Sequence, residues 1–260
     1  MPLDVVDLRS FYAQSLGMVA RRFVSRAIRA RWANVTGERM IGLGYPTPYL
    51  GVFRDEAERT LAFMPDNQGV MYWPTRGPSL AALVDSAELP LPDASIDRVL
   101  CVHLIEMSAD PAVVLREVWR ALTAGGRLLA VVPNRSGLWA RIDSTPFGQG
   151  RPYSKSQIVH LLRETWFTPV GWSEALYLPP APRGLLLRSA PALERLGASL
   201  GLPFAGVHIV EATKQVYRPA PVRRTRLVPS LEPAFGPAAA GARVSLGDAV
   251  GRDDSGAVAR

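Results

Sequence analysis

Of the three histidines in this chain, His103 closes a strongly apolar run, Val99-Leu100-Cys101-Val102. An imidazole at the end of a buried strand can take a proton from an acceptor hydroxyl or amine, or it can simply hydrogen-bond backbone. Gly42 and Gly44 follow another apolar run, and glycine there either admits a ligand close to the backbone or only turns the chain. Pro46 and Pro48 come next, each fixing φ and removing an N–H donor. Asp66 and Asp85 follow the apolar runs TLAFM and LAALV, where an aspartate binds a ligand or forms a turn. Asn134 follows a further run and is a candidate for an acceptor pocket, and Arg151 and Tyr153, in FGQGRPYS, could hold an anionic or aromatic substrate or simply staple the loop. His103, His160 and His208 are far apart, so no metal site is expected. Cys101, the single cysteine, excludes an intramolecular disulfide and reads as a small core residue.

These residues need elements to position them. Leu89–Asn134 reads as turn, buried strand, amphipathic helix (Asp110–Leu122), a Gly125-Gly126 helix end, then a second buried strand. Strands are expected at Arg39–Leu43, Thr60–Met64, Leu80–Val84, Val99–Val102 and Arg127–Val132, with helical segments between them. That alternation favours parallel crossovers in an open α/β sheet. Further on, Ser154 caps a helix reaching Thr165, Val170–Leu178 reads as a strand, Pro191–Leu200 as a helix and Val207–Tyr217 as a late strand. Leu8–Trp32 reads as one amphipathic helix with Phe11, Leu16, Val19, Phe23, Ala27 and Ile28 on its apolar face and Gly17 weakening its centre. Ligands of open α/β sheets sit beyond the carboxyl ends of the strands, so the loop after Leu43 is where a cofactor is expected.

PLPDASIDRVLCVHLIEM followed by LREVWRALTAGGRLLAVVPN resembles the second half of a class I S-adenosylmethionine-dependent methyltransferase of the small-molecule, methyltransferase-domain-11-like branch. The likeness runs from roughly Glu38 to Tyr217. It implies a Rossmann-like sheet of seven strands, mostly parallel, with helices on both faces and its last two strands antiparallel at one edge. It also implies S-adenosyl-L-methionine as cofactor and methyl transfer to an O, N or C atom of a small molecule. Under this resemblance Gly42 and Gly44 take two places of a GxGxG loop whose third glycine is Pro46. Asp66 would accept from the ribose hydroxyls, although MPDN departs from a simple strand-acid pattern. Asp85 and Ser86, in DSAELP, would meet the adenine amino group and ring edge, and His103 with Leu104 would wall the methyl-transfer pocket. Asn134, Arg151 and Tyr153 would line the acceptor pocket.

The prolines of the glycine loop motivate an alternative, a non-catalytic binding or scaffold protein with a decayed cofactor site. Val132-Pro133-Asn134-Arg135 stands where an Asn-Pro-Pro-Tyr signature would indicate nucleobase methylation. The missing GxGxxG speaks against dinucleotide oxidoreduction.

The chain has 260 residues and a formal charge of +7. Residues 1–40 and 218–260 are arginine-rich, whereas the middle is balanced. A nucleic-acid groove would need its basic residues on the folded body, so nucleic acid is not an expected partner. The basic ends leave room for a weak electrostatic contact. Residues 1–37 read as a helical extension, 38–217 as the Rossmann-like domain, and 218–260, rich in Pro, Ala, Gly and Arg, as a disordered tail. No transmembrane run is present, and the acidic start MPLDVVDLRSF is unlike a signal peptide, so the expected compartment is the cytoplasm.

Overall fold

The apolar runs pair into one sheet of seven strands in the order β3-β2-β1-β4-β5-β7-β6. The strands are β1 (Arg39–Gly44), β2 (Arg59–Pro65), β3 (Ala81–Val84), β4 (Ile96–Val102), β5 (Leu122–Pro133), β6 (Phe167–Ala175) and β7 (Val207–Lys214). The first five are mutually parallel, while β7 runs antiparallel to both β5 and β6. The protein is seen here as a computed structural model, which describes residues 3–180, 190–197 and 204–216.

The strand order reverses between β1 and β4, where Gly44 lies in register with Val102. This is the switch point at which open α/β sheets take their ligands. Both faces of the sheet are covered, as parallel strands require. On one face α1 (Val5–Ala13) and α2 (Ser15–Arg31) bring Leu8, Phe11, Phe23 and Ile28 against Met40, Leu100 and Leu129. On the other, α4 (Pro111–Ala121) and α5 (Lys155–Glu164) bring Val114, Val118, Ile158 and Leu162 against Ile41, Val99 and Cys101. A further helix, α3 (Thr47–Leu50), is a single turn after β1.

The helix starts obey local chemistry. Asp110 accepts from the Ala112 and Val113 amides at 3.0 and 3.2 Å. Ser154 and Gln157 form a reciprocal capping box that satisfies two orphan donors of α5. Ser154→Ala should lower stability by about 1 kcal/mol, measured as a fall in the urea midpoint.

Four expectations are corrected. The segment Leu8–Trp32 is not one helix but two, broken at Gln14. Gly17 is the reason: its Cα packs so closely on the Phe11 carbonyl that a Cβ would overlap it. The helix after β4 ends at Ala121, not at Gly125-Gly126, and both glycines lie inside β5, which begins five residues earlier than expected. No helix separates β2 from β3; Gly69, Pro74, Gly77 and Pro78 break the 66–80 crossover. The strand expected at Val170–Leu178 starts at Phe167 and ends at Ala175. The expected helix at Pro191–Leu200 is helical over 190–197, and its last residues lie outside the described ones, as does the tail from 218 onward.

The arginines of α2 are largely used internally. Arg29 pairs with Glu56, Arg31 donates to Ser173 Oγ and the Trp172 carbonyl, and Arg21 donates to the Pro48 carbonyl. No described helix is long and apolar enough to cross a membrane.

Candidate active site

A cavity of about 290 Å³ opens beyond the carboxyl ends of β2, β3 and β4. Asp66 and Gln68 reach it from the turn after β2, Asp85 and Ser86 from the turn after β3, and Leu104 from the turn after β4. One oxygen of each acid shapes its own turn: Asp66 Oδ1 accepts from the Asn67 amide, and Asp85 Oδ1 from the Ala87 amide, both at 2.7 Å. The second oxygen of each has no partner among the described residues. Ser86 Oγ and Gln68 Oε1 are buried and equally without a hydrogen-bond partner. Buried polar atoms are rarely left unpaired in native proteins, so their concentration around a cavity marks a place that a polar ligand completes. Two acids, a hydroxyl and an amide oxygen beside apolar Leu104 and Val114 fit the hydroxyl-rich, amino-bearing adenosyl part of S-adenosylmethionine.

Gly42 and Gly44 do not line this cavity. Gly42 is covered by its own loop, since a Cβ there would lie 2.6 Å from Leu50 Cδ1 and would overlap Pro46. Gly44 has φ +87° and packs on the Val102 carbonyl, with a Cβ also falling 2.9 Å from Leu104 Cβ. Its neighbour Tyr45 donates its amide to that carbonyl at 2.7 Å. Gly42 therefore serves close packing of β1 on the loop that follows it, and Gly44 that of β1 on the turn after β4. Gly44→Ala should cost about 1–3 kcal/mol, from the left-handed φ and the steric overlap, read as a lower thermal midpoint.

His103 is buried and itself adopts φ +51°, unusual for a residue with a side chain. Gln68 Nε2 donates to the His103 carbonyl, so one side chain joins the cavity wall to the histidine. The ring lies between two partners: Tyr12 Oη is 2.8 Å from Nε2, and Glu106 Oε1 is 3.2 Å from Nδ1. Phe147 covers the ring at 4.9 Å between centroids. Tyr12 Oη also lies 2.9 Å from Tyr49 Oη, and burial pushes both phenols well above the ordinary tyrosine range. Burial likewise raises the Cys101 thiol, which stays protonated in the core.

The acceptor residues proposed from sequence divide. Asn134 is committed to structure: Nδ2 donates to the Ala205 carbonyl at 2.8 Å and Oδ1 accepts from the Ser136 amide at 3.0 Å. Tyr153 bridges Asn134, its amide donating to the Pro133 carbonyl, and its half-buried phenol is raised by burial and by the Glu106 charge. The Arg151 side chain is exposed, while its amide donates to the Glu106 carbonyl at 2.8 Å. Thus the structure brings Asp66, Asp85 and Ser86 together at one cavity, sets His103 just behind its wall, and leaves Asn134, Arg151 and Tyr153 in the loop that holds Glu106.

Three functional candidates escape sequence reasoning. Glu106 carries a signal, an acid three residues after His103 in HLIE. Gln68 sits in the turn beyond Asp66. Tyr12 gives none, because only the fold brings α1 over β4.

Comparison with known proteins agrees with this geometry. Residues 41–130 match the family model described as a methyltransferase domain. A demethylmenaquinone methyltransferase of Deinococcus radiodurans is 45% identical over 60 residues, covering 22% of this chain and 25% of that protein. A probable S-adenosylmethionine-dependent methyltransferase of Mycobacterium tuberculosis is 38% identical over 168 residues, covering 64% of this chain and 58% of that protein. The chain thus spans less than two thirds of the length of these curated relatives. The crystal structure of a SAM-dependent methyltransferase, possible histamine N-methyltransferase, from Thermotoga maritima superposes with a TM-score of 0.54 at 16% identity, covering 81% of this chain and 96% of that one. The matched methyltransferase domain over residues 41–130 and these relatives make the chain similar to S-adenosylmethionine-dependent methyltransferases, and its 3-2-1-4-5-7-6 sheet shares their fold.

Proposed function

We propose that the protein transfers a methyl group from S-adenosyl-L-methionine to a small-molecule acceptor. The observation that carries this reading is the switch-point cavity, lined by the exposed acids Asp66 and Asp85 and by Ser86 and Gln68, whose buried Oγ and Oε1 have no hydrogen-bond partner. When bound, the cofactor supplies an electrophilic methyl group on a sulfonium centre. Asp66 accepts from the ribose hydroxyls. Asp85 accepts from the adenine amino group, with Ser86 at the ring edge. Gly42 acts by letting its own loop pack on β1, and Gly44 by letting the turn after β4 do so, rather than by touching the ligand. His103 receives the acceptor's proton, and alignment of acceptor with methyl group supplies much of the rate effect. The acceptor enters over the loop that carries Arg151 and Tyr153.

Calorimetric titration of the full chain with S-adenosylhomocysteine tests this. Micromolar binding is expected. No heat of binding up to millimolar ligand would overturn the reading and favour a scaffold role on the same fold.

A further inference from the structure

We propose that the acceptor is an aryl hydroxyl compound, bound where the Tyr12 phenol now lies, and that Glu106 is the positioning residue that readies His103 for it. The inference rests on the methyltransferase reading above.

The ring of Tyr12 lies in an aromatic slot. It stacks on Tyr45 at 5.7 Å with 19° between planes and meets the edge of Tyr49 at 5.9 Å. The slot ends at His103, where Tyr12 Oη sits 2.8 Å from Nε2. A hydroxyl at that distance from an imidazole nitrogen has the geometry a general base needs for its substrate. One stacked wall and one perpendicular ring around a phenol, with its oxygen on the candidate base, make an aryl hydroxyl site whose present occupant is part of the protein. The occupant comes from α1, a nine-residue helix set off from α2 by the break at Gln14. The start of α1 is tied to the cofactor cavity, because the Val5 amide donates to the Gln68 carbonyl at 2.7 Å and Gln68 lines that cavity.

Glu106 fixes which nitrogen is basic. An ionised Glu106 only accepts, and Oε1 at 3.2 Å then pairs with a proton on Nδ1 and leaves Nε2 as the acceptor. Both side chains are almost wholly buried, and Glu106 Oε2 has no hydrogen-bond partner. With both phenols kept protonated by burial, Tyr49 donates to Tyr12 Oη and Tyr12 donates to Nε2. In the reaction the acceptor oxygen bonds to the methyl carbon as the carbon–sulfur bond breaks. The electron pair of that bond stays on sulfur, giving neutral S-adenosylhomocysteine, and the hydroxyl proton passes to Nε2, making an imidazolium beside Glu106.

Two measurements test this on the full chain. The first is the nitrogen-15 NMR signature of His103, assigned with His103→Gln and needing no cofactor. The wild type is expected to carry its proton on Nδ1, Glu106→Leu, which removes the acceptor, to shift population to Nε2, and Glu106→Asp to restore it. An unchanged tautomer in Glu106→Leu would overturn the positioning role. The second uses Tyr12→Ala with S-adenosylhomocysteine bound and 4-methylphenol as probe. The phenol is expected to bind at least tenfold more tightly to the variant than to wild type, and at least tenfold more tightly than toluene. With S-adenosylmethionine instead, 4-methylanisole is expected to form. If S-adenosylhomocysteine binds but 4-methylphenol is neither preferred over toluene nor methylated, the acceptor class is wrong while the methyltransferase reading stands. If S-adenosylhomocysteine does not bind, both fall. Should Tyr12→Ala fail to fold, the tautomer measurement still decides on Glu106, and Tyr12→Leu, which removes the ring but keeps an apolar side chain on α1, is tested for the same phenol preference.

Discussion

Trp139→Ala is expected to destabilise the protein by about 3–5 kcal/mol, enough to remove a large part of the stability of an ordinary domain. Trp139 is fully buried and lies in the loop that runs from β5 over the carboxyl end of the sheet. Its indole Nε1 donates to the Leu178 carbonyl at 2.8 Å, and its ring meets the edge of Phe147 at 5.4 Å. The ring also rests directly on the backbone of Gly206, so closely that no Cβ could fit there. Truncation therefore opens a cavity between a loop and a strand start, leaves one carbonyl unpaired and frees Phe147 from one side. Because Phe147 covers His103, the loss propagates to the site. Urea unfolding of variant and wild type measures the effect. A change below about 1 kcal/mol would show that the loop is not held through Trp139.

Asp85→Ala is expected to weaken S-adenosylhomocysteine binding at least tenfold, about 1.4 kcal/mol, with little effect on the fold. Asp85 is exposed, and its carboxylate accepts from the Ala87 amide within its own turn. Removing it therefore costs a turn contact and, in the complex, the acceptor for the adenine amino group. The pairing of a large binding effect with a small stability effect separates a ligand contact from a structural aspartate. Asp55→Ala, an exposed acid that does not line the cavity, serves as the control and should bind normally. Unchanged affinity in Asp85→Ala would remove Asp85 from the site. Gly44→Arg is a poor control here, since Gly44 is needed for packing between β1 and the turn after β4.

The sheet was legible because apolar runs, helix caps and turn residues all point the same way from β1 to β5. Asp110 and Ser154 announce their helices through bonds that form within three residues. The misread elements share a cause: their ends are set by contacts distant in sequence. Gly17 looks like a weak helix position, yet it permits a sharp break because α2 packs on the Phe11 carbonyl. Gly125 and Gly126 look like a helix stop, yet β5 incorporates them beside β7, where Thr213 Oγ1 donates to the carbonyls of both glycines at 3.3 Å. At the site, Asp66 and Asp85 were legible from their places after strands. Gly42 and Gly44 were legible as special backbone, but their packing partners were not. Tyr12 was invisible, because a helix some ninety residues earlier reaches His103 only after the sheet has formed.

The central claim is that the cavity between the turns after β2, β3 and β4 holds the adenosyl group. Mapping amide chemical shifts during titration with S-adenosylhomocysteine tests it most directly. The largest changes are predicted at Asn67, Gln68, Ser86, Ala87 and Leu104, with small ones on β6 and β7. Saturable binding that instead perturbs amides around α2 and β6, or no perturbation at millimolar ligand, would contradict it.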